Sequence, residues 1–147
     1  MNDKDFETMH GYFLEELKVG QEETIYKKVS SSDINDFSKI TGDYNPVHIN
    51  ERFAEKTIFK KTIAHGFLTA SFISSVIGTK LPGPGCIYLK QSLKFLAPVY
   101  PGDNIKVNVK IKTIIIEKKR IILETYCSVG DKTVLEGEAE ILVNKKK

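Results

Sequence analysis

The sequence predicts an α+β domain in which one long buried helix is enclosed by a curved antiparallel sheet. Three observations predict it. Residues 65–78 place Phe67, Leu68, Ala70, Phe72, Ile73, Val76 and Ile77 around nearly the whole helical circumference, with only small residues between them, so this helix has no polar face to give to water. From Ile87 onward the chain reads as successive strands joined by short turns, with alternation over residues 104–116: Ile105, Val107, Val109 and Ile111 against Lys106, Asn108, Lys110 and Lys112. The length, 147 residues, suits one domain spanning 1–147 and leaves little room for two.

Residues 1–11 read as an irregular lead-in, and residues 23–29 alternate weakly as a first strand. Ser30-Ser31-Ser32-Asp33 is a helix start: a serine caps free N–H groups, and Asp33 suits the positive end of the dipole. Ile34, Phe37 and Ile40 follow at helical spacing until Gly42, which tolerates the left-handed geometry that ends helices. Pro46 lacks a donor and pushes Asn45 towards extended backbone, so residues 43–48 read as a rigid loop rather than a regular element. Residues 50–56 suit a short helix with Phe53 and Ala54 inward. The central helix stops at Gly78 and the run Pro82-Gly83-Pro84-Gly85. Ile87, Leu89, Leu93 and Phe95 then share one strand face, Pro98 and Pro101-Gly102-Asp103 turn the chain, and Glu117-Lys118-Lys119 and Gly130-Asp131 make two further turns. Leu135, Gly137, Ala139, Ile141 and Val143 line one side of the last strand. A sheet that must bury such a helix on most sides has to wrap it, which is a hot-dog fold in outline. The helix flank left over invites a second subunit, so a homodimer is expected.

The formal net charge is +3, and the lysines mostly alternate along strands instead of forming a basic stripe, so no nucleic-acid partner is expected. Lys145-Lys146-Lys147 reads as a frayed, solvated end. Cys86 and Cys127 sit in no C-x-x-C pair and read as free thiols of a reducing cytoplasm. The polar, acidic N-terminus is unlike a signal or transit peptide, and no apolar run reaches the ~18 residues of a membrane span. The expectation is a cytoplasmic protein without a membrane partner.

The segment with most chemistry is Gly42-Asp43-Tyr44-Asn45-Pro46-Val47-His48. It sets a carboxylate five residues from an imidazole, whose ordinary pKa of about 6.5 suits proton transfer near neutrality. Duller readings exist for each residue. Asp43 and Asn45-Pro46 are common turn chemistry. His48 alone would pass for a surface histidine, His65 for a structural one and His10 for an exposed terminal one. Tyr88 and Phe95 suit core or pocket wall. Asp43 and His48 are too few ligands for a metal site, and the phosphate-binding, G-x-S-x-G and H-E-x-x-H motifs are missing, so neither metal nor cofactor is expected.

This segment, together with Ala64-His65-Gly66-Phe67 and Ile87-Tyr88-Leu89-Lys90-Gln91-Ser92-Leu93-Lys94-Phe95, resembles in order the MaoC-like, or (R)-specific enoyl-CoA hydratase, family. The resemblance runs from about residue 12 to 143. It implies a hydro-lyase that adds water to trans-2-enoyl-CoA to give the (R)-3-hydroxyacyl-CoA, and runs the reverse dehydration. Asp43 and His48 would share the proton transfers, with either as the base. Gly66, at the start of the buried helix, would offer its backbone N–H to the enolate oxygen. Asn45 would orient the loop or touch the water, and Ser74 would line the acyl pocket. An acyl-carrier-protein thioester is an alternative substrate, as for a 3-hydroxyacyl-[acyl-carrier-protein] dehydratase. Two further readings keep the fold: a thioesterase, disfavoured because residues 65–78 contain no Asp or Glu, and a non-catalytic acyl-thioester-binding module.

Overall fold

The structure, a computed structural model, describes residues 1–146. Its sheet is antiparallel and built from six strands: β1 (Glu22–Lys28), β2 (Ile87–Gln91), β3 (Lys94–Phe95), β4 (Asn104–Ile115), β5 (Arg120–Val129) and β6 (Lys132–Leu142). The spatial order is β1-β4-β5-β6-β2, and β3 also pairs with β6. The alternation read from the sequence sets the register. Ile105, Val107, Val109 and Ile111 face inward beside Ile121, Leu123 and Cys127 of β5 and Leu135, Ala139 and Ile141 of β6. An irregularity between Ile111 and Thr113 shifts the β4–β5 pairing, so the alternation does not continue in phase to residue 116. Asn108, on the lysine face, is nevertheless buried because its amide donates to Thr24 Oγ1 at 2.8 Å across the β1–β4 pair. Gly137 has a tertiary reason: a Cβ there would run into the Ser92 carbonyl, where the chain crosses between β2 and β3.

The described residues also form five α-helices, α1 (Asp3–Met9), α2 (Ser31–Thr41), α3 (Pro46–Ile49), α4 (Glu51–Ala54) and α5 (Gly66–Thr79), and two single-turn 3-10 helices at Leu14–Glu16 and Ile116–Lys118. The concave sheet face holds α5, whose Leu68, Ile73, Val76 and Ile77 join the core formed by β4, β5 and β6. This is the hot-dog arrangement. Burial of α5 is not complete: Phe67 is 66% exposed, and Ser71, Ser74, Ser75 and Gly78 continue the same open stripe along the helix.

Several local expectations change. The lead-in is not irregular, because Asn2 caps the Asp5 N–H at 2.9 Å and starts α1. His10 is not an exposed terminal side chain: it stacks on Phe13 at 4.0 Å, with Nε2 3.1 Å from the Asn144 amide. The lysine tail is tied down through Lys146, whose N–H donates to Glu15 at 3.0 Å; Lys147 lies outside the described residues. In α2 the Ser30–Asp33 capping box is present, Ile34 is buried, but Ile40 is 84% exposed. In α4, Ala54 is inward while Phe53 is 47% exposed. Both cysteines are free thiols, and burial pushes the Cys127 thiol up to about 12. Among the described residues, no helix is long and apolar enough to cross a membrane.

Candidate active site

The site begins where α2 stops. Gly42 takes φ +77° and returns its N–H to the Ser38 carbonyl, which aims the chain away from the helix axis. Two side-chain turns follow. Asp43 Oδ1 accepts the Asn45 N–H at 3.2 Å, and Asn45 Oδ1 accepts the Val47 N–H at 3.2 Å. Asn45 thereby caps α3, with Pro46 at its first position. The expected loop is therefore partly helical: proline breaks helices by its missing donor, and the first helical residue needs none. Asp43 thus makes the turn bond with one carboxylate oxygen and has a second oxygen to spare. Asn45 spends its oxygen on the cap.

His48 sits on α3, half-buried. Its Nδ1 is 2.8 Å from the Ile63 carbonyl, which can only accept, so Nδ1 carries the hydrogen and Nε2 holds the lone pair. Ile63 returns the tie by donating its N–H to the Val47 carbonyl at 3.2 Å. Burial holds the His48 pKa below the usual histidine value, and the neighbouring His65 ring acts in the same direction. The Ile63 carbonyl and the Asp43 carboxylate pull the other way without prevailing. A neutral imidazole with a free Nε2 is the form a general base needs.

His65, buried, stacks on His48 with ring centroids 3.9 Å apart. One polar side-chain atom from each of Asp43, His48 and His65 lies within 4.8 Å of the others. Two histidines and a carboxylate are also a metal-ligand set. Here, however, His65 Nε2 points at the Asp43 carbonyl at 3.1 Å and has to donate to it, so that nitrogen offers no lone pair to a cation.

The residue after His65 is Gly66, the first of α5. His65 provides no side-chain cap, and no acceptor among the described residues takes the Gly66 N–H. Gly66 also lines a mainly apolar cleft of about 560 Å³ with Ile58, Ile63, Phe67, Phe95 and Pro98. Ile63 is thus both the acceptor for His48 and part of the cleft wall. A larger depression of about 610 Å³ beside α1 shares no lining residue with this site.

Of the residues singled out from the sequence, Asp43, Asn45 and His48 come together in one loop–helix unit, and Gly66 adjoins it through His65. Phe95 is cleft wall, as expected. Tyr88 lies on the outermost strand, partly exposed. Ser74 is eight residues along α5 from Gly66, about 12 Å at helical rise, on the open flank and outside the cleft lining. Ser38 was not singled out: its hydroxyl lies 3.1 Å from His65 Nε2, a contact between residues 27 apart that local sequence patterns do not announce.

Fold and site together define a hot-dog protein with an Asp/His pair set beside the N-terminus of its buried helix. The chain belongs to the MaoC-like domain family, whose description "MaoC like domain" matches residues 15–132. It is 50% identical over 134 residues to the 3-hydroxybutyryl-CoA dehydratase of Methylorubrum extorquens, covering 91% of this chain and 85% of the relative. It is 48% identical over 132 residues to the (R)-specific enoyl-CoA hydratase of Rhodospirillum rubrum, covering 90% and 92%. Among solved structures, the unliganded R-hydratase PhaJ1 of Pseudomonas aeruginosa superposes with a TM-score of 0.87 at 38% identity, covering 94% of this chain and 89% of that one.

Proposed function

We propose that this chain catalyses (R)-specific hydration of trans-2-enoyl-CoA to (R)-3-hydroxyacyl-CoA, and the reverse dehydration. The observation that carries the reading is the free Nε2 of a neutral His48 beside the Asp43 carboxylate, next to an unpartnered Gly66 N–H at an apolar cleft. The CoA handle is supported by the names of the Methylorubrum extorquens and Rhodospirillum rubrum relatives, and the stereochemistry by the name of the second.

The steps need proton transfer only. His48 Nε2 takes one proton from a water whose oxygen bonds to the β-carbon. The π electrons move to the thioester oxygen, and the Gly66 N–H stabilises the enolate there. The carbonyl re-forms as the α-carbon takes the proton from the His48 imidazolium. Asp43 accepts a hydrogen bond from the water's second hydrogen and offsets the imidazolium charge. One C–O and one C–H bond form, one π bond and one O–H bond of the water break, and nothing is oxidised or reduced overall, so the scheme calls for no cofactor. Asn45 holds the loop in this scheme, and the acyl chain occupies the Phe67–Phe95 cleft.

The active assembly is a homodimer in this reading, in a cytoplasmic setting. The outermost strand β2 pairs on one side only and exposes Ile87 and Leu89, and the small residues of the α5 stripe permit close approach of a second helix. Light scattering should give twice the chain mass; a monomer that hydrates at full rate would defeat this part. In a dimer the α5 flank is covered, which is where Ser74 could meet an acyl chain.

The test is loss of the ultraviolet absorbance of a conjugated enoyl-CoA. Asp43→Asn and His48→Ala should each lower the rate by roughly 100- to 10,000-fold. Unchanged rates would end the Asp43/His48 mechanism, a wild-type protein without any absorbance loss would end the hydratase reading, and release of free thiol would establish a thioesterase instead. The same assay with an acyl-carrier-protein thioester decides the handle.

A further inference from the structure

The proton-transfer pair rests on a side chain that the hydration steps themselves do not use. His65 is only 2% exposed. Its Nε2 lies 3.1 Å from the Asp43 carbonyl and 3.1 Å from Ser38 Oγ. A backbone carbonyl has no hydrogen to give, so Nε2 carries one, and the ring is fixed in its Nε2–H tautomer. Nδ1 is then a buried nitrogen with no partner among the described residues. A phenylalanine would fill the same space without that unpaired atom, so packing alone gives no reason for an imidazole here. What the imidazole adds is the donor aimed at Asp43. Its faces are in use as well: His48 stacks at 3.9 Å and 27°, and Phe37 meets it at 4.8 Å and 58°.

We propose that His65 is a positioning residue for the hydration reaction: its Nε2–H ties the Asp43 main chain to Ser38 of α2, and its ring sets the plane of His48. Because His65 immediately precedes Gly66, one buried side chain keeps the proton-transfer pair in register with the oxyanion donor. The inference rests on the hydratase reading above. His65 lines no part of the acyl cleft, so its effect falls on kcat and not on KM. It also shapes the titration of His48, whose ring is faced by the His65 ring at the start of α5, the Asp43 carboxylate of the preceding loop and the Ile63 carbonyl.

Three variants and one spectrum test it: His65→Phe, which keeps the ring and loses the donor; His65→Gln, whose amide can reach the Asp43 carbonyl; Ser38→Ala; and ¹⁵N NMR of the histidine-labelled wild-type protein. His65→Phe should melt near the wild type, yet lose about 10- to 100-fold in kcat with KM little changed, and its acid limb should move. His65→Gln should recover part of that loss, and Ser38→Ala should show a smaller loss of the same kind. The spectrum should show His65 protonated at Nε2 and His48 at Nδ1. Wild-type kcat and pH profile in a folded His65→Phe, or His65 protonated at Nδ1 alone, would overturn the proposal. If His65→Phe does not fold, the spectrum and His65→Gln decide it. A wild-type protein that leaves enoyl-CoA absorbance unchanged defeats the hydratase reading itself; hydration that is abolished by Asp43→Asn and His48→Ala yet fully active in His65→Phe defeats only the positioning role.

Discussion

Replacing Gly66 by alanine separates the chemistry of the helix terminus from its stability. Gly66 opens α5 without a positive φ, so alanine fits the backbone, and helix propensity favours it by up to ~1 kcal/mol. The obstacle is Phe95: a Cβ at position 66 would stand 2.5 Å from Cε1 and 2.8 Å from Cδ1 of that ring. Carbon atoms rest about 3.5–4.0 Å apart, so the ring must retreat by roughly 1 Å. Phe95 is 50% exposed and can swing at little cost to folding. But it swings in the cleft that Gly66 also lines, and a misplacement of about 1 Å near reacting atoms can cost ~100-fold, or about 2.7 kcal/mol of activation free energy. Gly66→Ala should therefore melt within about 2 °C of the wild type and lose about 100-fold in kcat/KM, followed by decay of enoyl-CoA absorbance. Adding Phe95→Ala should restore part of the rate, because the methyl then meets no ring. Wild-type kcat/KM in Gly66→Ala would refute the steric argument, as would a double variant that recovers nothing.

Four further outcomes follow from the same structure. Burial lowers the folded pKa of His48, so the acid limb of kcat/KM should lie below the ordinary histidine value of 6.5 and disappear in His48→Ala; a limb above 6.5 would contradict it. The same shift makes His48 destabilising in acid: its contribution is fully present above the unfolded pKa and is lost as pH falls through that value towards the folded one. Denaturant titrations of wild type and His48→Gln should then diverge only on the acid side. Ser30→Ala removes the acceptor for the Asp33 N–H and should cost about 0.5–2 kcal/mol, measured by urea unfolding; an unchanged midpoint would show that the cap adds nothing. Burial raises the pKa of both thiols, so a thiol-specific reagent at pH 8 should label Cys86 slowly and Cys127 only after unfolding, and rapid labelling of both would contradict their burial.

What the sequence revealed and what it concealed divide by range. Period-two alternation found the inward faces of β4 and β6, since each inward residue follows from its neighbour two positions away. The Ser30–Asp33 start and the Gly42 stop of α2 were legible because capping is a matter of three or four residues. Short helices gave less. With one turn each, α3 and α4 have no periodicity to show which face is inward, so Phe53 was expected to be buried and is not. Ile40 failed for a related reason: in the last turn of α2, helical spacing from Phe37 no longer guarantees a partner below. The fully apolar reading of α5 overlooked that its serines and Gly78 line up with Phe67 as one open stripe. In the site, the motif was legible as letters, but two assignments were not. The proposed choice of His48 as base needed the Ile63 carbonyl, fifteen residues away, to fix its tautomer. The use of His65 needed Asp43 and Ser38, at 22 and 27 residues.

Those same long-range ties explain how a loop can carry chemistry that demands fixed distances. From Gly66 to Thr79 the buried helix contains no carboxylate and no imidazole, so of the pieces of this site it can supply only an N–H. In the proposed scheme the proton-transfer groups therefore come from the chain facing it, where backbone is normally looser. Here that backbone is fastened at both ends and in the middle. Gly42 bonds back to Ser38, His65 donates to the Asp43 carbonyl, and the Ile63 N–H and C=O clasp Val47 and His48. Two of these ties originate in residues 63–65, immediately before the proposed oxyanion donor. A shift of α5 along its axis would therefore carry Asp43 and His48 with it, and the spacing between proton transfer and enolate stabilisation would survive. A thioesterase with its carboxylate on the helix would need no such clasp, and its presence here is a structural reason, independent of any relative, to place the acid–base work on the loop.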